Sequence, residues 1–390
     1  MARINISLVG GQAMPVNRGL EELGKFDMVI LVHSAETKEI ACNISANCVS
    51  PTELRQFNAL NYPLILKTFE DLLDEFIHDE VIINLTSGTK IWAIALAILA
   101  SKRDNCTLVY VEQNNTLQNL TRHVRYVPEE KLGIDTIFRN NGIEIPRHTR
   151  LDDYTEDDKR VLMDIMGLLD FNYRDFKELT SINDPWWKSQ LESKHCRCPV
   201  RTLERTGSCI EFDKDRSTII INLKKKYGER EIILQSPHVD RIVFNTAWFE
   251  YEIALMLSEW GKAYEIWLNV LVPYADKETK NEIDIIVCTG TKLLFVECKT
   301  KISSKTEIDK FKSAVRNFGG LSSKAIFVTE TTLDERTKEK CMDNGIISFS
   351  LEDAVSTYNR HCNHFKENIW NGRKKALFKL LNREMLSNNT

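Results

Sequence analysis

Residues 281–301 read NEIDIIVCTGTKLLFVECKTK, and this stretch decides the fold of the carboxyl-terminal half of the chain. Two apolar runs, residues 283–287 and 293–298, flank a short polar segment at residues 288–291. Apolar runs separated by a few residues that include glycine are typical of two antiparallel strands joined by a turn. The stretch therefore predicts a β-hairpin whose loop is residues 288–291.

This hairpin brings charged side chains together on one face. A four-residue loop places Asp284 opposite Phe295, and side chains alternate between the faces of a strand, so Glu297 and Lys299 share the face of Asp284. Two carboxylates bind a hard divalent cation, and a neighbouring ammonium orients or activates water or stabilises charge on a phosphate. We therefore predict a metal-dependent phosphodiesterase in which Asp284 and Glu297 hold Mg²⁺ or Mn²⁺ and Lys299 is catalytic.

A helix precedes the hairpin at residues 247–260, AWFEYEIALMLSEW. Glu250 lies on the edge of its apolar stripe, three residues before Ile253, whereas Glu252 shares its seven-residue row with Glu259 and is less constrained. A glutamate held against a core needs a partner, which a metal ion or a lysine would supply. The alternative is that Glu250 merely flanks a buried helix.

Glu250, Asp284 and the Glu-Cys-Lys sequence at residues 297–299 occur in an order that resembles the PD-(D/E)xK nuclease superfamily. A predicted helix at residues 306–318 and a strand at 324–329 complete the αβββαβ core of such nucleases. The resemblance implies a restriction-endonuclease-like domain with Glu250 as a further catalytic residue and metal ligand. The chain departs from the strict motif in one respect, because no proline precedes Asp284.

The amino-terminal half alternates strands and helices, which predicts an α/β domain with an open, parallel, doubly wound sheet. Ligands of such sheets bind outside the carboxyl ends of the strands. Here those ends carry Gly, Gln, Ser, Thr and Lys, which suit phosphate at a helix amino terminus. Neither the P-loop spacing nor GxGxxG is present. The predicted strands are residues 4–9, 26–32, 81–85 and 107–111, with helices at 16–23 and 91–100.

The segment at residues 84–90, Asn-Leu-Thr-Ser-Gly-Thr-Lys, resembles the Asn-Leu-Thr-Gly-Gly-Thr-Lys signature of CARF domains, with Ser87 in place of one glycine. The Val-Gly-Gly-Gln loop at residues 9–12 is similar to that family as well. CARF domains are Rossmann-like sensors of cyclic oligoadenylates in type III CRISPR defence. The nucleotide-binding residues that the resemblance implies are Gly11, Gln12, Met14, Asn17, Ser34, Thr37, Thr86, Ser87, Gly88, Thr89 and Lys90.

A CARF half followed by a PD-(D/E)xK half resembles the ancillary CRISPR nucleases that cyclic tetra-adenylate activates. The resemblance implies a homodimer that binds the activator across its two-fold axis, with residues 1–148 as the sensor and 149–390 as the nuclease domain with its connecting region. The residues do not distinguish DNA from RNA as the substrate, nor cyclic tetra- from hexa-adenylate. Two alternatives stay open: a constitutive restriction or repair nuclease, and a catalytically silent CARF regulator.

Composition agrees with a two-domain protein of the cytoplasm. The chain has 390 residues, 43% hydrophobic and 28% charged, and a formal net charge of −4, which argues against constitutively tight, nonspecific DNA binding. No apolar stretch is long enough to span a membrane, and Met1 is followed directly by a predicted strand rather than a signal peptide. The cysteines are scattered, as reduced thiols are. The His/Cys segments at residues 195–198 and 361–364 lack zinc-site spacing, so we predict no zinc.

The connecting region contains an aromatic pair, Trp186 and Trp187. Aromatic side chains near lysines can stack on bases, but we predict that both tryptophans are buried at the domain junction. The basic runs at residues 224–226 and 373–375 are predicted to be solvated faces.

Overall fold

The computed structural model describes residues 1–112, 116–127, 131–273, 280–290, 292–301, 306–319, 323–355 and 365–386. These residues form three sheets of seven, four and six strands. The first belongs to the amino-terminal half and the third carries the predicted hairpin, whereas the second lies in the connecting region. The segment at residues 361–364 and Thr291 of the predicted turn lie outside the described residues.

The first sheet is parallel over five strands and ends in an antiparallel hairpin. Its strands are β1 (Arg3–Leu8), β2 (Met28–His33), β3 (Thr52–Gln56), β4 (Glu80–Asn84), β5 (Cys106–Val111), β6 (Leu117–Asn119) and β7 (Val124–Tyr126). The order across the sheet is β3-β2-β1-β4-β5-β6-β7. The four predicted strands are confirmed. The sequence did not predict β3, β6 and β7, because they are short and lack an apolar pattern.

Helices cover both faces of this sheet, so its central strands are buried on both sides, including the polar residues Asn5 and Ser7 of β1. They are α1 (Met14–Leu23), α2 (Lys38–Asn47), α3 (Tyr62–Glu75) and α4 (Lys90–Ala100). On one face, Ile6 and Ile83 pack in a core with Trp92 of α4. On the other, Leu31 packs in a second core with Val16 of α1. The predicted doubly wound architecture is confirmed.

Two elements lead from the first sheet into the second half of the chain, α5 (Ile134–Asn140) and β8 (Arg147–Arg150). The boundary predicted after residue 148 lies inside β8, which pairs with a strand of the third sheet. Phe138 of α5 shares a core with Phe295 of the predicted hairpin. The last helix after the first sheet therefore packs on the sheet of the other domain.

The connecting region folds into two helices and a four-stranded antiparallel sheet in the order β12-β11-β10-β9. Its elements are α6 (Glu156–Thr180), α7 (Pro185–Glu192), β9 (Val200–Thr202), β10 (Cys209–Asp213), β11 (Thr218–Lys225) and β12 (Gly228–Gln235). Thr155 and Asp158 form a reciprocal capping box that starts α6. The helix kinks at Asn172, whose backbone is not helical and whose side-chain oxygen accepts a hydrogen bond from Asp175 N at 3.2 Å.

The two adjacent tryptophans have different environments. Trp187 is completely buried and packs edge-on against Phe244. The Trp186 residue is 56% exposed, so the prediction that it is buried was wrong. Both residues lie in the first turn of α7, where successive side chains point in directions about 100° apart, so one can face the core while the other faces solvent.

The third sheet has the order β17-β16-β15-β14-β13-β8 and is antiparallel from β8 to β15 and parallel from β15 to β17. Its other strands are β13 (Glu265–Pro273), β14 (Lys280–Cys288), β15 (Leu293–Lys299), β16 (Lys324–Thr329) and β17 (Ile346–Ser350). The helices of this half are α8 (Val239–Val243), α9 (Ala247–Ser258), α10 (Thr306–Gly319), α11 (Glu335–Asp343), α12 (Leu351–Val355) and α13 (Phe365–Leu386). The predicted α9, hairpin, α10 and β16 are confirmed.

The segment before α5 is hydrogen-bonded to the turn of the hairpin. Cys288 Sγ donates to the carbonyl oxygen of Leu132 at 3.1 Å, and Leu132 N donates to the carbonyl oxygen of Gly290 at 3.4 Å. At the start of β13, the Glu265 carboxylate accepts from Ile134 N at 2.7 Å. The hairpin turn and the start of α5 thus form one hydrogen-bonded unit.

Among the described helices, none is both long and apolar enough to cross a membrane. The described cysteines are all free thiols.

The loops after β1 and β4 contact each other at Gly10 and Gly88. Gly88 has φ +76°, and a Cβ on it would lie 2.9 Å from the Leu8 side chain. Because an L side chain is strained at this φ, we expect Gly88→Ala to lower the free energy of unfolding by about 1 to 3 kcal/mol. Gly11→Ala is the matched control, since a Cβ at Gly11 meets nothing within 4 Å. If denaturant unfolding finds the same loss of unfolding free energy for both variants, the expected strain at Gly88 is contradicted.

Candidate active site and ligand-binding site

The observed register of the hairpin differs from the predicted one. Ile285 pairs with Val296 and Cys288 with Leu293, so continuing the ladder places Asp284 opposite Glu297 rather than Phe295. The loop is residues 289–292, one position later than predicted. The pairing is therefore displaced by two residues, and because the side-chain period of a strand is two, the predicted face is unchanged.

Lys299 joins the two carboxylates of this face. Its Nζ lies 2.7 Å from Glu297 Oε1 and 3.3 Å from Asp284 Oδ2. Asp284 Oδ2 also accepts a hydrogen bond from Cys298 N at 2.7 Å, which fixes the carboxylate against the neighbouring strand. The three side chains that the sequence predicted to be catalytic are thus in direct contact.

Glu250 reaches the same site from the first turn of α9. Its Oε2 accepts a hydrogen bond from Asn269 Nδ2 at 3.0 Å. Asn269 lies in β13 between the pairs Leu268–Ile285 and Val270–Ile283, opposite Asp284, and its backbone is left-handed with φ +50°. This local distortion of β13 turns the amide toward the helix. The sequence did not predict a role for Asn269.

Burial and mutual repulsion dominate the electrostatics of the site. Burial raises the pKa of Asp284, and burial together with the Asp284 charge raises the pKa of Glu297 to about 7. The same two causes raise the pKa of Glu250 well above its usual range. Burial alone would lower the pKa of Lys299, but Asp284 and Glu297 outweigh it and raise that pKa. The site therefore contains three carboxyl groups and one ammonium group, that of Lys299.

The donor set is suited to a hard cation, because carboxylate oxygens are the ligands that Mg²⁺ and Mn²⁺ prefer. Within the described ranges, no three His, Cys, Asp or Glu side chains already converge as a metal cluster. Lys299 Nζ is the group that lies between Asp284 and Glu297. The residue types fit a divalent ion, and the excess of acidic groups is what such an ion would neutralise.

In the amino-terminal half, the turns after β1 and β2 are tied together. Thr37 Oγ1 accepts a hydrogen bond from Ser34 N at 3.0 Å and donates one to the carbonyl oxygen of Val9 at 3.2 Å. Gly11 and Gln12 follow Val9 directly and are exposed and half-buried, respectively. Residues 34–37 and the loop after β1 therefore share one edge of the sheet, as predicted.

The turn after β4 joins the same edge. Asn84 Oδ1 accepts hydrogen bonds from Thr86 N at 3.1 Å and Thr86 Oγ1 at 2.6 Å, which closes the turn. Thr89 caps α4 by accepting from Trp92 N at 3.2 Å. A Cβ on Gly10 would lie 2.7 Å from Gly88 N, so the loops after β1 and β4 are in contact. Ser87 is half-buried here, and Lys90 is exposed at the amino terminus of α4.

Two of the implied nucleotide-binding residues lie differently. Met14 is half-buried and packs against the core that contains α5 and the catalytic sheet. Asn17 is 8% exposed, and its Nδ2 has no hydrogen-bond partner among the described residues. Both lie in α1 rather than in the loops, and their roles stay predictions.

Two family models match the chain, and together they cover more than half of it. Residues 4–135 match the Card1 CARF domain, and residues 239–351 match the endonuclease domain described as Card1-like. The chain belongs to the Card1-like CARF nucleases. The recognition of a CARF domain joined to a nuclease domain of type III CRISPR systems is thereby confirmed.

Solved structures support the fold over nearly the whole length. Can2 from Sulfobacillus thermosulfidooxidans, solved in complex with cyclic tetra-adenylate, is 17% identical, with 98% of this chain and 99% of that chain covered and a TM-score of 0.65. Protein VC1899 from Vibrio cholerae is 13% identical, with 98% of each chain covered and a TM-score of 0.67. No curated protein sequence matches the chain.

A second charged cluster, which the sequence did not reveal, lies around Glu252 of α9. Glu252 is only 3% exposed, so the expectation that it is loosely constrained was wrong, and its Oε1 lies 3.6 Å from Arg373 of α13. Burial raises the pKa of Glu252 to about 7, although Arg373 opposes the rise. Glu330, which follows β16, also has a pKa raised by burial and accepts from Tyr173 OH at 3.0 Å. More than 100 residues separate Glu252 from Arg373, and nothing local predicts the pairing.

Glu252 makes the stability of the fold depend on pH. Its carboxyl group titrates near the ordinary value of 4.5 when unfolded and at about 7 when folded, so the folded state retains the proton between these values. The free energy of unfolding then falls as pH rises through this window and stays low above it. Glu252→Gln removes the titration, and we expect it to stabilise the protein at pH 8, by up to about 3 kcal/mol, with little effect at pH 5.

Thermal unfolding in the presence of a chelator at both pH values measures this difference. Glu259→Gln is the control, because Glu259 is exposed on the carboxyl-terminal side of α9. A Glu252→Gln effect that is equal at pH 5 and pH 8 would show that the carboxyl group does not titrate in this range.

Proposed function

We propose that the protein is a metal-dependent endonuclease activated by a cyclic oligoadenylate, cyclic tetra-adenylate in the first instance, that cleaves DNA or RNA in the cytoplasm during type III CRISPR defence. The observation that carries the proposal is the contact of Asp284, Glu297 and Lys299 on one hairpin face within the domain that matches the endonuclease family. The CARF domain on the same chain supports the activator.

Asp284 and Glu297 would hold Mg²⁺ or Mn²⁺, with Glu250 as a further ligand. Such an ion supplies Lewis-acid stabilisation of charge on the scissile phosphate and the leaving oxygen. Asn269 keeps the Glu250 carboxylate aimed at the site through its 3.0 Å hydrogen bond. Cys298 N holds Asp284 in the same way from the neighbouring strand.

Lys299 would orient water and phosphate rather than remove a proton. Its raised pKa keeps the ammonium group protonated at neutral pH, so it donates hydrogen bonds to the attacking water or to a phosphate oxygen. To act on a phosphate, the ammonium group would shift from its position between the two carboxylates.

The sensor would bind the activator at the shared edge of the first sheet, with phosphates at the turns that carry Gln12, Ser34 and residues 86–90. We propose a homodimer with the activator across its two-fold axis. An exposed apolar stripe on α4, where Ile94 is 56% and Ile98 is 44% exposed, supports a second copy on this side. Activation requires the activator to bind the active arrangement of the dimer more tightly than the inactive one.

Cleavage of supercoiled plasmid and labelled single-stranded RNA with Mn²⁺, with and without cyclic tetra-adenylate, tests both halves of the proposal. We expect activator-dependent cleavage that chelation of the metal abolishes. Glu297→Ala should reduce the rate by about a hundredfold to a thousandfold or more, because it removes a ligand of the ion that would stabilise charge in the transition state. Glu335→Ala, which removes an exposed carboxylate of α11 in the same half, should leave the rate unchanged.

Each other outcome favours an alternative. Cleavage that is indifferent to the nucleotide would contradict activation and leave a constitutive restriction or repair nuclease. Nucleotide binding without cleavage in any metal would leave a catalytically silent CARF regulator.

Lys90 tests the position of the activator. It is exposed at the amino terminus of α4 and forms no ion pair with the described residues, so its charge is available to a phosphate. We expect Lys90→Ala to raise the activator concentration for half-maximal cleavage about tenfold or more, with the same maximal rate. Lys102→Ala, which removes an exposed charge at the opposite edge of the same sheet, is the control. Equal activator responses of the two variants would exclude Lys90 from the site.

A further inference from the structure

A charged groove of about 650 Å³ lies beside the catalytic hairpin, on the second half of α6. Its lining includes Tyr173, Arg174, Lys177 and Arg201, together with the acidic residues Glu178 and Asp184. Neither family model includes these residues, because the matched ranges end at residue 135 and resume at residue 239.

Direct contacts join this groove to the catalytic strands. Lys177 Nζ donates to Thr300 Oγ1 at 2.9 Å, and Thr300 follows Lys299 in the chain. Tyr173 OH donates to Glu330 at 3.0 Å, and Glu330 N donates to the carbonyl oxygen of Lys299 at 3.2 Å. The groove therefore begins at the end of β15, one residue from the catalytic lysine.

Two basic side chains of the groove, Arg174 and Lys177, form no ion pair with the described residues, whereas Arg201 pairs with Asp184. Arg174 is exposed and forms no ion pair or side-chain hydrogen bond with the described residues. Lys177 is hydrogen-bonded only to the neutral Thr300 hydroxyl and lies 5.6 Å from the Tyr173 ring centre, without an ion pair in the described ranges. A chain with a net charge of −4 needs such a local surface to bind a polyanion.

The acidic side chains of the groove are already compensated. Glu178 pairs with Arg205 at 3.1 Å. Asp184 caps α7 by accepting from Trp186 N and lies 3.7 Å from Arg201. Because each of these carboxylates is paired with an arginine, its repulsion of an anionic ligand is reduced.

An exposed aromatic ring lies at the far side of the same surface. A second cleft of about 810 Å³, which shares Glu178, Asp184 and Arg201 with the groove, is also lined by Trp186. The Trp186 residue is 56% exposed, and its ring stacks beside Trp187 with ring centres 6.4 Å apart, so part of the ring surface is accessible. Basic side chains leading to an exposed aromatic ring are typical of surfaces that track a nucleic-acid backbone and stack a base.

We propose that this groove binds the nucleic-acid strand next to the scissile bond, with Arg174 and Lys177 on phosphates and Trp186 stacked on a base. The inference rests on the proposed nuclease function and adds the path that the substrate follows away from the catalytic hairpin.

The salt dependence of binding tests the inference. Each phosphate contact removed from a protein that binds single-stranded nucleic acid lowers the slope of log K against log[salt] by about 0.7. In a Glu297→Ala background with activator and Mn²⁺, we expect Arg174→Ala and Lys177→Ala each to weaken binding of labelled single-stranded RNA several-fold and to lower this slope by about 0.7. Arg174→Lys should retain most of the slope, and Lys102→Ala should leave affinity and slope unchanged.

The outcomes separate this inference from the proposed function. A protein that neither cuts nor, in the Glu297→Ala background, binds nucleic acid would overturn both. A protein that cuts with activator, while Arg174→Ala and Lys177→Ala leave affinity and slope unchanged, would overturn the groove alone. A change of sedimentation state in Arg174→Ala, without a change in RNA affinity, would instead assign the groove to contacts between copies of the chain.

Discussion

The carboxyl-terminal half depends on the two ion pairs that the ammonium group of Lys299 forms with Asp284 and Glu297. Asp284 and Glu297 contact this ammonium group directly, and the Asp284 charge raises the pKa of both Glu250 and Glu297. An unpaired charge in such a place would destabilise the fold by several kcal/mol. Lys299 lies two residues after Glu297 on the same strand face, where its charge compensates acidic side chains that an apolar sheet could not otherwise bury.

The fold also accepts local strain to assemble this centre. Asn269 has a left-handed backbone in the middle of β13, which costs about 1 kcal/mol or more at a non-glycine residue. Asparagine is among the few residues that adopt this conformation readily, and from this position its amide donates a hydrogen bond to Glu250. The distortion lies opposite Asp284, so strand irregularity and acidic side chains coincide at one point of the sheet.

The sequence predictions rest on the side-chain periods of strands and helices. These periods do not determine strand register or contacts between distant segments, and the wrong predictions have this origin. The face shared by Asp284, Glu297 and Lys299 could be predicted because a shift of two residues leaves every side chain on the same face of the strand. The register could not be predicted, because it depends on the geometry of the turn, and the residues of the loop allow more than one turn. The roles of Asn269 and Arg373 could not be predicted, since they arise from contacts between distant segments. Trp186 and Trp187 differ because helical geometry, not residue type, decides which neighbour faces the core.

The hydrogen bonds between residues 132–134 and the catalytic sheet have a consequence for any exchange of domains. The CARF match extends to residue 135, and its last residues hold the hairpin at its turn, through Leu132 with Cys288 and Gly290, while Asp284 lies four residues along β14, about 13 Å away. The end of the CARF-matched segment is therefore hydrogen-bonded to the hairpin at its turn, and the predicted catalytic side chains lie farther along the same two strands. An exchange of sensor domains would keep these hydrogen bonds only if residues 132–134 stayed with the nuclease half.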